Sequence, residues 1–139
     1  MGKMNVKTET LDEVLQGRPV AVMKLDVEGH ELAVLCGAAE TLRRRRIRHL
    51  VYEDHLGTSS AVSELLRDQG FTLFQIGWST FGPILASIEA SPVCKPYEAP
   101  SFLATRDPQI AETACRVPGW RVLRSRLIQP AATSDGESR

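Results

Sequence analysis

Pro19-Val20-Ala21-Val22-Met23-Lys24-Leu25-Asp26-Val27-Glu28-Gly29-His30-Glu31 passes from an apolar run through an acidic turn into a helix start. Residues 20–25 are almost continuously apolar, which predicts a strand buried on both faces. The run stops at Asp26 and Glu28, and Gly29 between Glu28 and His30 predicts a tight turn from strand into helix. Leu32, Leu35, Ala39 and Leu42 then recur every three to four residues, so a helix is expected over residues 31–44 with that face inward. Gly37 falls inside this helix at some cost against alanine, and a close approach to the sheet is one reason to keep it.

The pattern continues on both sides. Upstream, Thr10-Leu11-Asp12-Glu13 fits a capping box, Leu11, Val14 and Leu15 supply an apolar face, and Gly17 supplies the stop. Downstream, residues 47–52 predict a second strand ending at Glu53-Asp54-His55. Ser59 or Ser60 caps a helix with Val62, Leu65 and Leu66 on one face, and Gly70 ends it. Residues 71–76 predict a third strand. Weaker strands follow at 84–88 and 101–105, with a loop holding three prolines at 91–100 and a short helix at 108–115. The alternation predicts an α/β fold with a mainly parallel sheet and helices on its faces. In such sheets ligand chemistry gathers at the carboxyl ends of strands.

Composition narrows the class. The chain has 139 residues, enough for about one domain. We place that domain at residues 1–128 and read the small, polar residues 129–139 as a disordered tail. Lys+Arg and Asp+Glu are 17 each. The zero balance argues against a general nucleic-acid binder. The longest apolar run, residues 32–39, is far short of the ~20 residues of a membrane span. Residues 1–9 lack the apolar region of a secretory signal. Val6 stands where a myristoylation pattern wants Ser or Thr. Cys36, Cys94 and Cys115 are odd in number and widely spaced, which suits a reduced, cytoplasmic protein and is too few for an all-cysteine zinc site.

Two acidic clusters carry the chemistry. Asp26 and Glu28 end an apolar strand, either as a carboxylate pair projecting into a crevice or as charges that complement the next helix's dipole. Glu53, Asp54 and His55 end the following strand, and His55 is a candidate general base, the residue type whose imidazole suits that task. No HExxH or EF-hand spacing fixes a metal, so none is assigned. The glycine-rich GxGxxG and P-loop cradles are missing. Residues 43–48 hold five arginines, read as a helix C-terminus with cations matched to its dipole. Glu31 is expected to charge the first helical turn, Cys36 to be buried, and Trp78 and Trp120 to pack under loops.

Thr10-Leu11-Asp12, then Lys24-Leu25-Asp26-Val27-Glu28-Gly29-His30-Glu31, then Val34-Leu35-Cys36-Gly37-Ala38 resemble the FkbM-type methyltransferase family. That family carries a TLD triplet, a K-[IL]-D-V-E-G-x-E core and V-L-x-G-A on the next helix. The resemblance runs from about Lys7 to Gly77. It implies a class I Rossmann-like fold, S-adenosylmethionine as methyl donor, and O-methylation of a hydroxyl on a small molecule, sugar or glycan. It also implies that the chain corresponds to the C-terminal portion of such a domain, the first strands and glycine-rich donor loop lying upstream. Residues 20–25 would then present an open edge, for a second copy or a partner chain to complete. The motif identifies the family. Roles come from position at strand ends: Asp26 first, then Glu28, Glu53 and His55 for catalysis, with Asp26, Glu28 and Gly29 toward the donor. Two other readings stay open, a non-catalytic module pairing through its strand edge and a metal-dependent hydrolase built on the acidic clusters.

Overall fold

The computed structural model describes residues 4–79, 82–88 and 100–116. Cys94, Trp120, most of the proline loop and the tail expected at 129–139 lie outside the described residues. The elements in chain order are α1 (Leu11–Leu15), β1 (Val20–Leu25), α2 (Glu31–Cys36), α3 (Ala39–Arg43), β2 (Ile47–Glu53), α4 (Ala61–Asp68), β3 (Thr72–Ser79), β4 (Gly82–Ser87), β5 (Ser101–Thr105) and α5 (Pro108–Arg116).

The five strands form one sheet in the order β1-β2-β5-β3-β4. The α/β class holds, but the sheet is mostly antiparallel rather than mainly parallel. β1 and β2 pair in parallel, while β5 runs against both β2 and β3, and β4 runs against β3. The cause is the connectivity. Helices link β1 to β2 and β2 to β3, so these three strands point the same way. Two residues separate β3 from β4, and so short a link permits only antiparallel pairing. β5 then returns between β2 and β3, and nothing in a five-residue apolar strand announces that direction.

Leu35, Leu42, Leu50, Tyr52, Leu66 and Phe102 are buried on the face covered by α2, α3 and α4. Tyr52 and Phe102 stack at 5.4 Å between ring centroids across the β2–β5 pair. Phe74, Leu103 and Ala111 form a smaller cluster under α5. β1 is the outer strand, and this corrects the expectation of burial on both faces: Val22 is 63% exposed.

The helix expected over 31–44 is two helices, broken at Gly37 and Ala38. A Cβ on Gly37 would lie 3.5 Å from the Thr10 Cβ, so the close approach is to the start of α1 and not to the sheet. The same junction explains the TLD triplet. Thr10 and Glu13 close the capping box, the Thr10 Oγ1 accepting from the Glu13 N–H at 3.2 Å and the Glu13 Oε2 accepting from the Thr10 N–H at 2.8 Å. Leu11 packs on the core. Asp12 reaches across the fold: its Oδ2 accepts from the Glu40 N–H at 2.9 Å and its Oδ1 from the Thr41 N–H at 2.8 Å. The Asp12 N–H in turn donates to the Gly37 carbonyl at 2.9 Å. α3 has no side-chain cap of its own, so Asp12 satisfies its orphan donors.

Ser60 is the cap of α4, accepting from the Ser63 N–H at 3.1 Å. Arg43 and Arg44 both pair with Glu40 at the end of α3, in keeping with the helix-terminus reading of the arginine run. Cys36 and Trp78 depart from expectation. Cys36 is exposed, because Leu35 beside it takes the core position. Trp78 is 78% exposed, since it stands on the outer part of the β3–β4 hairpin opposite Pro83.

Candidate functional site

The parallel β1–β2 pair brings both strand ends to one edge of the sheet, with Leu25 beside Tyr52. The two acidic clusters therefore meet, although 27 positions part Asp26 from Glu53. Between them lies a crevice of about 310 Å³. Asp26, Glu28, Gly29 and Glu31 line one side, Glu53, Asp54 and His55 the other. Leu32 from α2, Leu56, and Ser60, Ala61 and Val62 at the start of α4 complete the walls. All the residues singled out from strand-end position, Asp26, Glu28, Gly29, Glu53 and His55, stand in this crevice.

Local backbone geometry shapes it. Glu28 has φ 51° and Gly29 has φ 91°, two successive left-handed residues that reverse the chain between β1 and α2. Glu28 carries the usual Cβ cost of that region, whereas Gly29 does not. No atom lies within 4 Å of the place a Cβ on Gly29 would occupy, so the backbone there is open to a ligand. Glu31 Oε1 ties the turn together, accepting from the Val27 and Gly29 N–H groups at 3.3 Å each. Burial raises the Glu31 pKa, but its own backbone N–H, with those of Gly29 and Val27 and the nearby His30, outweighs this and holds the carboxyl below its ordinary value. Glu31 is thus a tie within the turn as well as a first-turn charge.

Sequence reasoning undervalued two residues. Lys24, one turn of the strand before Asp26, places its Nζ 2.7 Å from the Asp26 Oδ2. That hydrogen bond and charge, with Glu53 further off, hold the ammonium pKa up. The i, i+2 spacing of Lys24 and Asp26 on one side of a strand was the available signal. Asp54 is the second. Its Oδ1 accepts from the Leu56 N–H at 2.9 Å, while its Oδ2 is buried without a hydrogen-bond partner among the described residues. A buried polar oxygen left unmatched carries a desolvation cost that a donor from a ligand would relieve. No signal in the sequence marks such an orphan, because it arises from packing around the loop.

In the buried core next to β2 and α4, the Tyr52 hydroxyl meets the Ser63 Oγ at 3.0 Å. Burial pushes the Tyr52 phenol up, so the hydroxyl stays neutral. Among the described residues, no group of three or more His, Cys, Asp or Glu side chains is placed to hold a metal ion, and no helix is long and apolar enough to cross a membrane.

An α/β sheet with an acid-lined crevice at its strand ends is a frame on which ligand chemistry is commonly placed. The methyltransferase FkbM domain matches residues 1–73, just over half of the chain, and the chain belongs to that family. The match covers both acidic clusters. It falls on the N-terminal part of the chain, which corrects the expectation of a C-terminal portion. No curated protein and no solved structure matched the chain.

Proposed function

We propose that the crevice is the donor side of an S-adenosylmethionine-dependent O-methyltransferase site on a class I Rossmann-like scaffold, acting on a hydroxyl of a small molecule or sugar. The observation that carries this reading is the convergence of Asp26, Glu28, Glu53 and His55 within the span matched by the family.

The chemistry of the residues fits such a donor. Five carboxylates, those of Asp26, Glu28, Glu31, Glu53 and Asp54, line the crevice, and in a cleft of lowered dielectric they favour a cation. When bound, S-adenosylmethionine supplies a methyl group on a positively charged sulfur. Asp26 and Glu28 hold positive charge, and Gly29 lets the ligand lie against the backbone. Leu32 and Val62 give apolar walls that exclude water. The Asp54 Oδ2 accepts a hydrogen bond from a hydroxyl and fixes its orientation. Glu53 would align the acceptor, and a ring nitrogen of the exposed His55 would take the proton of the acceptor hydroxyl. The cysteine count suits a reduced, cytoplasmic setting.

The test is transfer of a labelled methyl group from S-adenosylmethionine to a panel of sugars and small alcohols. His55→Gln is expected to lower turnover by about 10²-fold or more, the usual scale for a lost acid–base partner, and Asp26→Asn is expected to lower it by weakening the hold on the donor's positive charge. Transfer that both variants leave intact would reject these roles.

A further inference from the structure

α3 and α4 end in the same backbone motif. After α3, the Arg45 N–H donates to the Leu42 carbonyl at 2.9 Å and the Arg46 N–H to the Thr41 carbonyl at 3.0 Å. After α4, the Gly70 N–H donates to the Arg67 carbonyl at 2.8 Å and the Phe71 N–H to the Leu66 carbonyl at 3.1 Å. The motif sets one residue in the left-handed region, where glycine is favoured because it has no Cβ. α4 puts Gly70 there at φ 78°, whereas α3 puts Arg45 there at φ 55°. The fold thus keeps an arginine where glycine is the easier residue. The α3 dipole does not require it, since Arg43 and Arg44 already bring cations to that terminus.

The Arg45 side chain reaches toward α4. Its Nη2 lies 3.9 Å, and the Arg106 Nη1 3.6 Å, from the point a Cβ on Gly70 would occupy. Among the described residues neither guanidinium meets a carboxylate. Arg106 gives its Nε and one N–H from each Nη to backbone carbonyls, which leaves one N–H on each Nη. Burial first, and then Arg45, lowers the Arg106 pKa, so the two cations feel one another. Like charges held together without a counter-charge are costly, and an anion between them offsets that cost.

We propose that Arg45 and Arg106 clamp a phosphate group in front of Gly70. Two nitrogens that flank one open point are within reach of two oxygens of a single phosphate, each about 2.8 Å from its donor. The planar guanidinium fork suits that ligand better than a point charge does, and the missing Cβ at Gly70 leaves room for it. The surroundings draw a dianion in. Residues 43–48 hold five arginines, and the carboxylates paired with them are Glu40, shared by Arg43 and Arg44, and Asp107 on Arg48. The chain's zero net charge therefore hides a local positive excess. Arg45 precedes β2 and Arg106 follows the antiparallel β5, so the clamp sits at the end of the sheet opposite the crevice. It stands independently of the methyl-transfer reading.

Phosphorus NMR of inorganic phosphate titrated against the full chain tests it, with saturable line broadening expected. Arg45→Gly removes one guanidinium and gives the left-handed position its favoured residue. That variant should melt no lower than the native chain, yet bind phosphate about tenfold more weakly or worse, the scale of a lost charge-assisted hydrogen bond. Arg46→Ser removes the same charge from the next residue and should keep the broadening. Sedimentation with phosphatidylcholine vesicles, with and without phosphatidic acid, identifies the source. Co-sedimentation that needs both phosphatidic acid and Arg45 assigns a lipid headgroup, and broadening by free phosphate without co-sedimentation assigns a soluble phosphate compound. Phosphate bound neither free nor on vesicles, an Arg45→Gly chain that binds like the native one or melts well below it, or an equal loss in Arg46→Ser would overturn the proposal.

Discussion

Arg106 offers the sharpest test of how the fold is held together. It follows β5 and turns its guanidinium back under the sheet. Its Nε donates to the Ile47 carbonyl at 3.1 Å, Nη1 to the Gln69 carbonyl at 2.7 Å and Nη2 to the Leu42 carbonyl at 3.1 Å. The same group lies over the Phe71 ring at 4.0 Å from its centroid. One side chain thus joins the end of α3, the end of α4 and the start of β2. Burial, with Arg45 nearby, lowers its pKa, but a guanidinium stays charged throughout the ordinary pH range. Bonds to a charged donor contribute about 1.5–3 kcal/mol each. Water can reach part of this half-buried group, so about 1 kcal/mol per bond is the better figure, with ~0.5–1 kcal/mol from the ring contact. Arg106→Ala is then expected to cost about 3–4 kcal/mol, a large share of the ~5–15 kcal/mol typical of a domain. The melting temperature should fall by roughly 15 °C. Arg106→Lys keeps the charge but cannot span three carbonyls, and should cost about 2 kcal/mol. Urea unfolding followed by circular dichroism measures both. A loss below about 1 kcal/mol for the alanine variant, or a lysine variant equal to the native chain, would show that Arg106 does not tie these chain ends together.

Three further predictions follow from the turns and caps. Gly29→Ala meets open space but an unfavourable φ of 91°, so it should cost about 1 kcal/mol, measured by chemical unfolding. Asp12→Ala removes the acceptor of two α3 N–H groups and should lower the melting temperature, whereas Asp12→Asn should retain part of the cap. Arg43 and Arg44 hold the Glu40 carboxyl down to about 2 from an ordinary 4.5. The unfolded state therefore takes up this proton first. The stabilisation is complete above about pH 4.5 and drains away as pH falls toward about 2, so thermal melts across that window should steepen less in Glu40→Gln.

Much of the first half of the chain was readable from its residues because local rules and tertiary packing agree there. The Thr10–Glu13 box, the Ser60 cap, the turn at Gly29 and the two strand-end acid clusters all depend on nearby residues. The limits are equally physical. Gly37 marked a helix interior in the periodicity, yet it breaks the helix where α1 crosses close by, a contact set 27 positions away by Thr10. The direction of β5 depends on which strands leave a gap, and its five residues encode only that they are apolar. Arg106 reads as a surface cation until three chain ends are seen to converge on it. The apolar run of β1 resembled a strand enclosed on both faces, because sequence records hydrophobicity and not the number of neighbours. At the site, strand-end position placed Asp26, Glu28, Glu53 and His55 together, but the buried Asp54 oxygen depends on packing alone.

The most direct measurement is calorimetric titration of S-adenosylmethionine and its demethylated product into the chain, native and Asp26→Asn. Micromolar binding of the donor is expected, with weaker binding of the product that has lost the sulfonium charge and a narrowed difference between the two in Asp26→Asn. An absence of binding up to millimolar donor, or equal affinity for donor and product in the native chain, would contradict that expectation.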